Sequence, residues 1–172
     1  NLTLSFNASI KEVQDGAFLQ RIGDQFAESP VSTERLEIEL TESVVMADID
    51  QTMPVLSSLK DLGLSLAVDD FGTGYSSLYY LKRLPIDVLK IDKSFVKDLA
   101  EDANDQTIVT TIIAMGESLG LRLVAEGIET REQNGFLLDR GCREGQGYLF
   151  GAPMPAVEFA TFVSNAKGVL HR

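Results

Sequence analysis

The 172-residue sequence predicts an α/β fold, a TIM-like (β/α) barrel that is incomplete and has six βα units. Three observations lead to this prediction. Short apolar runs typical of buried strands alternate with segments whose apolar residues recur at helical spacing. Each of the six runs has a polar or charged residue at or beside it, in five of them at the C-terminal end. These polar ends indicate a shared site, because α/β proteins build their sites where parallel strands end.

The strands are predicted near residues 2–7, 36–40, 64–69, 88–92, 121–126 and 146–150. A complete barrel of eight βα units typically takes roughly 250 residues, so about two units are absent. Asn1 opens the first strand directly, without a Met, a signal peptide or a transmembrane run. We therefore expect a single domain over residues 1–172 that is an excised piece of a longer protein.

Helices are predicted between the strands from apolar residues that recur every three or four positions. These residues are Ile10, Val13, Phe18, Leu19, Ile22 and Phe26, then Met53, Leu56, Leu59 and Leu62, and then Ile108, Ile112, Met115 and Leu119. Three glycines lie where helix C-caps are expected: Gly63, Gly120 and Gly141. Thr130 and Gln133 resemble a capping box that opens a helix through Arg140.

Side-chain alternation divides each predicted strand into two faces. The more polar face carries Asn7, Glu39, Asp69, Lys90 and Glu126, which we expect to converge at one mouth of the barrel. The opposite face is apolar and is expected to pack on helices; it carries Leu2, Leu4, Phe6, Ile38, Leu40, Leu64, Leu66, Val68, Leu123 and Ala125. One polar residue alone is explained by a capped strand end, but five in register favour a site.

The most informative stretch is DDFGTGYSSL at residues 69–78. Asp69 and Asp70 are adjacent carboxylates at a strand end, and such close like charges repel each other unless a cation lies between them. The pair therefore suggests a divalent metal site, and the alternative is a solvated turn. The oxygens of Asp, Glu and Asn suit Mg²⁺, Mn²⁺ or Ca²⁺.

Composition limits the chemistry further. The single Cys142 excludes an internal disulfide and fits a reducing, cytoplasmic compartment. With one cysteine and one histidine, His171 in the tail, no zinc site is expected. The net charge of −11 disfavours DNA or RNA polymers as partners. An anionic substrate can still bind where a metal reverses the local potential.

Seven short segments match one known family in its order and cover nearly the whole chain. They are FNAS at 6–9, ELTE at 39–42, DDFGTGYSSL at 69–78, LPID at 84–87, LKID at 89–92, VAEGIET at 124–130 and QGYLF at 146–150. They resemble the EAL domain, the phosphodiesterase that cuts the bacterial second messenger cyclic di-GMP. The resemblance implies that cyclic di-GMP is the ligand, and that the parent protein is a homodimer.

The resemblance also implies a set of metal ligands. Asn7, Glu39 and Asp69 resemble the ligands of one Mg²⁺ or Mn²⁺ ion, with Asp69 bridging to a second ion. Asp70 and Glu126 resemble the ligands of that second ion. Two such ions lower the pKa of a bridging water for in-line attack on the phosphate, which releases the linear dinucleotide.

Three further residues take roles from the same resemblance. Lys90 is similar to the family lysine that contacts the attacking water and the phosphate, and Gln146 to a residue that supports this network. The alternative for Lys90 is an ion pair with Asp92 inside the barrel. Glu42 resembles the anchor of the 72–74 loop, which shapes the metal site and the family's dimer contact.

One departure from the family bears on activity. The Glu-Ala-Leu sequence that names the family, whose Glu is a metal ligand, does not occur in this chain, and neither does the substrate-binding Arg near it. Three functions therefore remain open for the parent protein. They are an active phosphodiesterase, a degenerate receptor that binds cyclic di-GMP without cutting it, and a regulatory scaffold.

Overall fold

Six parallel strands form one open sheet, a half-barrel, in the computed structural model, which describes residues 2–9, 12–13, 15–27, 31–74 and 78–166. The strands are β1 (Leu4–Asn7), β2 (Leu36–Thr41), β3 (Ser65–Phe71), β4 (Val88–Ile91), β5 (Arg122–Ala125) and β6 (Glu144–Gly145). Their order in the sheet follows their order in the chain. The predicted fold class is confirmed, and all C-terminal strand ends meet at one edge.

The helices of the described residues lie between and after the strands. They are α1 (Gly16–Ala27), α2 (Glu42–Ala47), α3 (Ile49–Asp61), α4 (Leu78–Leu81), α5 (Lys93–Lys97), α6 (Ala103–Ser118), α7 (Arg131–Asp139) and α8 (Ala156–Ala166). The capping box of Thr130 and Gln133 is present and opens α7. Asn1, Ile10, His171, the 75–77 part of the motif and the side chain of Leu19 lie outside the described residues. None of the described helices combines the length and hydrophobicity that a membrane span needs.

The sixth strand is shorter and earlier than predicted. It occupies Glu144–Gly145, while residues 146–150 form a turn, so the strand predicted at 146–150 is wrong. The difference is explained by Gly147, whose backbone packs directly against that of Ile128. A Cβ at this position would lie 2.1 Å from the backbone oxygen of Ile128. Hydrogen bonds from Leu149 N to Ile128 O (3.0 Å) and from Phe150 N to Gly147 O (3.1 Å) then turn the chain back on itself.

The hydrophobic core lies on the apolar face of the sheet, as predicted for β2, β3 and β5. Ile38, Leu66 and Val68 are no more than 1% exposed there. The prediction is wrong for Leu2 and Leu4, which are 55% and 61% exposed. The reason is their position: within the described chain β1 is an edge strand that pairs only with β2.

The inner face of the sheet carries a polar layer below the strand ends. Glu37 of β2 is 4% exposed and accepts hydrogen bonds from Ser5 Oγ at 3.0 Å and Ser65 Oγ at 3.2 Å. It also forms an ion pair with Arg122 of β5. One carboxylate therefore ties β1, β3 and β5 to β2 beneath the predicted site.

Candidate metal centre and active site

A compact group of charged side chains surrounds Lys90 of β4. Its Nζ lies 2.8 Å from Glu39 Oε2 on β2 and 3.2 Å from Asp69 Oδ1 on β3. It lies 2.5 Å from Oε1 of Glu126, the residue after β5. These four side chains are between 4% and 13% exposed. The structure thus brings together four of the residues singled out in the sequence, from four consecutive strands.

Asn7 lies at the β1 edge of this group. Strand register places it directly opposite Glu39. Two residues further along β2, Thr41 lies opposite Asp69. Asn7 is exposed, so its amide is accessible at the same level of the sheet as the Glu39 carboxylate.

Asp69 and Asp70 lie at an irregularity in β3. The register between β3 and β4 shifts between Val68 and Phe71, and Asp70 has a φ of 53°, a left-handed conformation that is unusual outside glycine. As a result, carboxylate oxygens of Asp69, Asp70 and Glu126 all lie within 4.8 Å of one another. Strict alternation along a strand would have pointed Asp70 to the opposite face.

Gln146 is fixed beside Glu126 by backbone hydrogen bonds. Its N–H donates to Ala125 O at 2.8 Å, and its carbonyl accepts the N–H of Ile128 at 3.0 Å. Its side-chain Nε2 then donates to Glu126 Oε1 at 2.6 Å. The Glu126 oxygen that contacts Lys90 is therefore held from a second side.

Glu42, the first residue of α2, holds the loop after β3. Its Oε2 accepts the N–H of Gly72 at 2.8 Å and the N–H of Gly74 at 3.3 Å. Gly72 has a φ of 98°, and a Cβ on Gly74 would lie 2.8 Å from Glu42 Oε1. The loop that follows Asp70 is thus tied to α2; the left-handed φ favours glycine at 72, and a side chain at 74 would displace the Glu42 carboxylate.

Asp92 belongs to the group, although the sequence analysis gave it no role in the site. It lies close enough to Asp70 to raise the pKa of that carboxyl group, and it accepts the N–H of Ser94 at 2.9 Å to cap α5. The alternative of an ion pair between Lys90 and Asp92 is wrong, because within the described chain Lys90 pairs with the three carboxylates named above. The signal for Asp92 was its place on the same predicted strand face as Lys90.

An open cleft of about 800 Å³ adjoins Glu126 and Gln146. Aromatic side chains from the turn after β6 and from α8 line it: Tyr148, Phe150, Phe159 and Phe162. This cleft was not predicted from the sequence, because residues 146–150 were predicted to form the sixth strand. The cleft offers aromatic surface next to the charged group.

Residues 1–153 match the sequence model of the EAL domain. This chain belongs to the EAL domain family. The cyclic di-GMP phosphodiesterase NbdA of Pseudomonas aeruginosa is 51% identical over 128 residues, which are 74% of this chain and 16% of NbdA. The bifunctional diguanylate cyclase/cyclic di-GMP phosphodiesterase MucR of the same organism is 40% identical over 161 residues, 94% of this chain and 24% of MucR. The chain thus spans about a sixth to a quarter of the length of these EAL relatives.

Solved EAL structures share the fold. The MucR phosphodiesterase in complex with cyclic di-GMP superposes with a TM-score of 0.87 and 41% identity, over 91% of this chain and 64% of that chain. Klebsiella pneumoniae BlrP1, in a manganese and cyclic di-GMP complex, gives a TM-score of 0.82 and 34% identity, over 88% of this chain and 39% of that chain. BlrP1 is also known as a calcium complex with the same ligand.

Burial and neighbouring charges set the protonation of the EAL site. Burial raises the pKa of Glu126, although the contact with Lys90 acts to lower it. Burial, the charge of Asp69 and the contact with Asp92 raise the pKa of Asp70. Burial on its own lowers the pKa of Lys90, but the contacts with Glu126 and Glu39 outweigh it, and the pKa is raised. Lys90 is therefore charged at neutral pH, amid more negative than positive groups.

The residues of this EAL site fit a divalent cation with oxygen ligands. Asp69, Asp70 and Glu126 present carboxylate oxygens within 4.8 Å of one another. Glu39 contacts the Lys90 ammonium that also pairs with Asp69 and Glu126. No histidine or cysteine takes part among these residues, which suits Mg²⁺, Mn²⁺ or Ca²⁺ rather than zinc.

Proposed function

We propose that the protein containing this chain hydrolyses cyclic di-GMP to the linear dinucleotide with two divalent cations, Mg²⁺ or Mn²⁺. The observation that carries the proposal is the grouping of the Asp69, Asp70 and Glu126 carboxylates, with oxygens within 4.8 Å of one another, at the strand ends of a chain in the EAL family. Mutually repelling carboxylates brought this close are expected where a cation binds between them.

The metal ligands follow the geometry and the family resemblance together. Asn7, Glu39 and Asp69 would hold one cation, and Asp69, Asp70 and Glu126 the other. The strand register of Asn7 and Glu39 and the short distances among the other three support this division. When bound, the two cations would supply an activated water and neutralise charge on the phosphate.

The chain's own residues position and stabilise the reacting groups. Lys90 brings a positive charge to the place where the phosphate gains negative charge. Gln146 fixes the orientation of Glu126 through the 2.6 Å hydrogen bond to Oε1. Glu42 holds the loop after Asp70, so that the backbone carrying this carboxylate keeps its left-handed turn.

The aromatic cleft provides a place for a base of the dinucleotide. Bases stack on aromatic side chains, and Tyr148 and Phe150 lie in the cleft beside Glu126. The phosphate of a nucleotide held there would lie towards the charged group. A cyclic dinucleotide therefore suits the site better than a simple phosphate ester.

The proposal concerns the complete domain rather than residues 1–172 alone. These residues form an EAL domain without the Glu-Ala-Leu sequence, which would add a further metal ligand. The free Cys142 supports a cytoplasmic location, and the family resemblance of the loop that Glu42 anchors supports a homodimer of the parent protein.

Hydrolysis with defined metals tests the proposal. The protein containing this chain, stripped of metal, should convert cyclic di-GMP to the linear product with Mg²⁺ or Mn²⁺. Ca²⁺ should support binding but not turnover, because its larger and more flexible coordination shell positions water poorly. Undiminished turnover after exhaustive chelation would contradict the metal mechanism, and tight binding without linear product over hours with Mn²⁺ would favour a receptor.

A further inference from the structure

We propose that the Lys90 ammonium competes with a divalent cation for Glu39, Asp69 and Glu126, and so lowers the metal affinity of the site. This inference rests on the proposed function, because it concerns the same carboxylates. It gives Lys90 a role before the substrate arrives, as a positioning residue for the metal ligands.

The first support is the way that Lys90 uses its hydrogen-bonding capacity. A lysine ammonium has three donors. The three short contacts of Lys90 go to Glu39 at 2.8 Å, Asp69 at 3.2 Å and Glu126 at 2.5 Å. All three partners are candidate metal ligands, so Lys90 sits at the centre of the ligand set.

The second support is burial. The Lys90 side chain is only 4% exposed, and its carboxylate partners are 10%, 12% and 13% exposed. Water screens charges poorly at such depth, so the ammonium contributes strongly to the attraction that keeps the carboxylates together. Without that charge, the three carboxylates would repel one another.

The third support is the crowding of one oxygen. Glu126 Oε1 lies 2.5 Å from Lys90 Nζ and also accepts the Gln146 side chain at 2.6 Å. A cation that uses this oxygen must share it with, or take it from, a positively charged donor. A cation that binds Glu126 therefore competes with Lys90 for the same oxygen, and the two positive charges repel each other.

The test is Mn²⁺ binding, measured by calorimetry without substrate, on the protein containing this chain. Lys90→Met keeps a similar length but removes the charge. We expect its Mn²⁺ dissociation constant to fall by roughly tenfold, because a unit charge a few ångströms from the site is removed. We also expect its metal-free melting temperature to fall, and Mn²⁺ to raise that temperature by more than it does in the unchanged protein.

Lys60→Met is the matched control. Lys60 also forms an ion pair, with Asp87 at 2.6 Å, but Asp87 lies just before β4, at the opposite end of the strand from the site. This variant loses the same charge and one ion pair, and it should leave the Mn²⁺ dissociation constant unchanged. A purely structural role of Lys90 would make the two variants alike in Mn²⁺ affinity.

A second variant at Lys90 keeps the test decisive if the first variant does not fold. If Lys90→Met does not fold without metal, Lys90→Gln removes the charge while keeping a hydrogen-bond donor. An unchanged or weaker Mn²⁺ affinity in the folded variant, with hydrolysis intact in the unchanged protein, overturns this inference alone. If the unchanged protein neither binds Mn²⁺ nor hydrolyses cyclic di-GMP, the proposed function fails as well.

Discussion

At the scale of the single residue, Glu126 connects the lysine of the site with the candidate metal ligands. It touches Lys90 and Gln146 and lies within reach of the aspartate pair. Glu126→Gln should lower turnover by about 10³-fold in the protein containing this chain, since a metal ligand and a fixed negative charge are lost. Steady-state hydrolysis of cyclic di-GMP measures the effect.

The exposed Glu144 on β6 provides the control for Glu126. Glu144→Gln removes the same charge one strand away, where the residue is exposed and lies 3.8 Å from Arg122. Turnover should change less than about threefold, as for most surface substitutions. Equal losses in both variants would contradict a specific role for Glu126.

Gly74 tests the loop anchor. Gly74→Ala should lower turnover and Mn²⁺ affinity, because its Cβ would lie 2.8 Å from Glu42 Oε1 and push the carboxylate away from Gly72. Gly135→Ala in α7 is the matched control, since a Cβ there meets nothing within 4 Å. The control should be neutral or more stable by about 0.5 to 1 kcal/mol. A fully active Gly74→Ala enzyme would show that the anchor does not matter.

Cys142 gives stability a dependence on alkaline pH. It is 2% exposed, and burial raises its pKa to about 11 from the ordinary 9.0. Because the folded thiol keeps its proton while the unfolded thiol ionises, the free energy of unfolding should fall as pH rises from 9 to 11. The loss should be about 2 kcal/mol greater than in Cys142→Ala, measured by urea denaturation across this range. Parallel pH profiles would contradict the prediction.

Asp70 is a residue of the site whose orientation strand alternation does not predict. Alternation along a strand correctly grouped Glu39, Asp69, Lys90 and Glu126, since Lys90 contacts all three carboxylates. Asp70 reaches the same group only through a register shift and a φ of 53°, which no alternation rule contains. Its place in the site was predicted from its adjacency to Asp69 and from the family resemblance, rather than from strand alternation.

At the scale of the element, Glu37 joins four strands below the site. Glu37→Ala leaves Ser5, Ser65 and Arg122 without their shared acceptor. The free energy of unfolding should fall by about 2 to 4 kcal/mol, measured by chemical denaturation. Glu34→Ala, in the exposed turn Thr33–Arg35, should change it by less than about 0.5 kcal/mol. Similar values for both would mean that the polar layer does not hold the strands.

The ends of β6 were less predictable than those of the other strands. The apolar sequence of residues 148–150 favours a strand by pattern alone. The close approach of Gly147 to Ile128 decides the turn, and this contact joins residues that are distant in sequence. Helix boundaries set by local chemistry, such as the capping box of Thr130 and Gln133, were predicted correctly.

At the scale of the whole molecule, the open edge at β1 predicts association of the isolated chain. Leu2 and Leu4 are more than half exposed beside a strand that pairs on one side only in the described chain. Residues 1–172 expressed alone should therefore form oligomers in light scattering, bind Mn²⁺ weakly and turn over little cyclic di-GMP. Leu2→Lys with Leu4→Lys should reduce the association. A monomeric and fully active isolated chain would show that the edge needs no cover.

The sequential order of the strands also determines when the site can form during synthesis. From β2 onwards, each described strand pairs with the one made before it, so the sheet can grow strand by strand as the chain leaves the ribosome. Glu39 and Asp69 emerge before Lys90, and Glu126 follows later still. A nascent chain that stops between Asp69 and Lys90 therefore presents acidic groups without their lysine. The synthesis of β4 then adds the lysine that pairs with Glu39 and Asp69, before Glu126 completes the group.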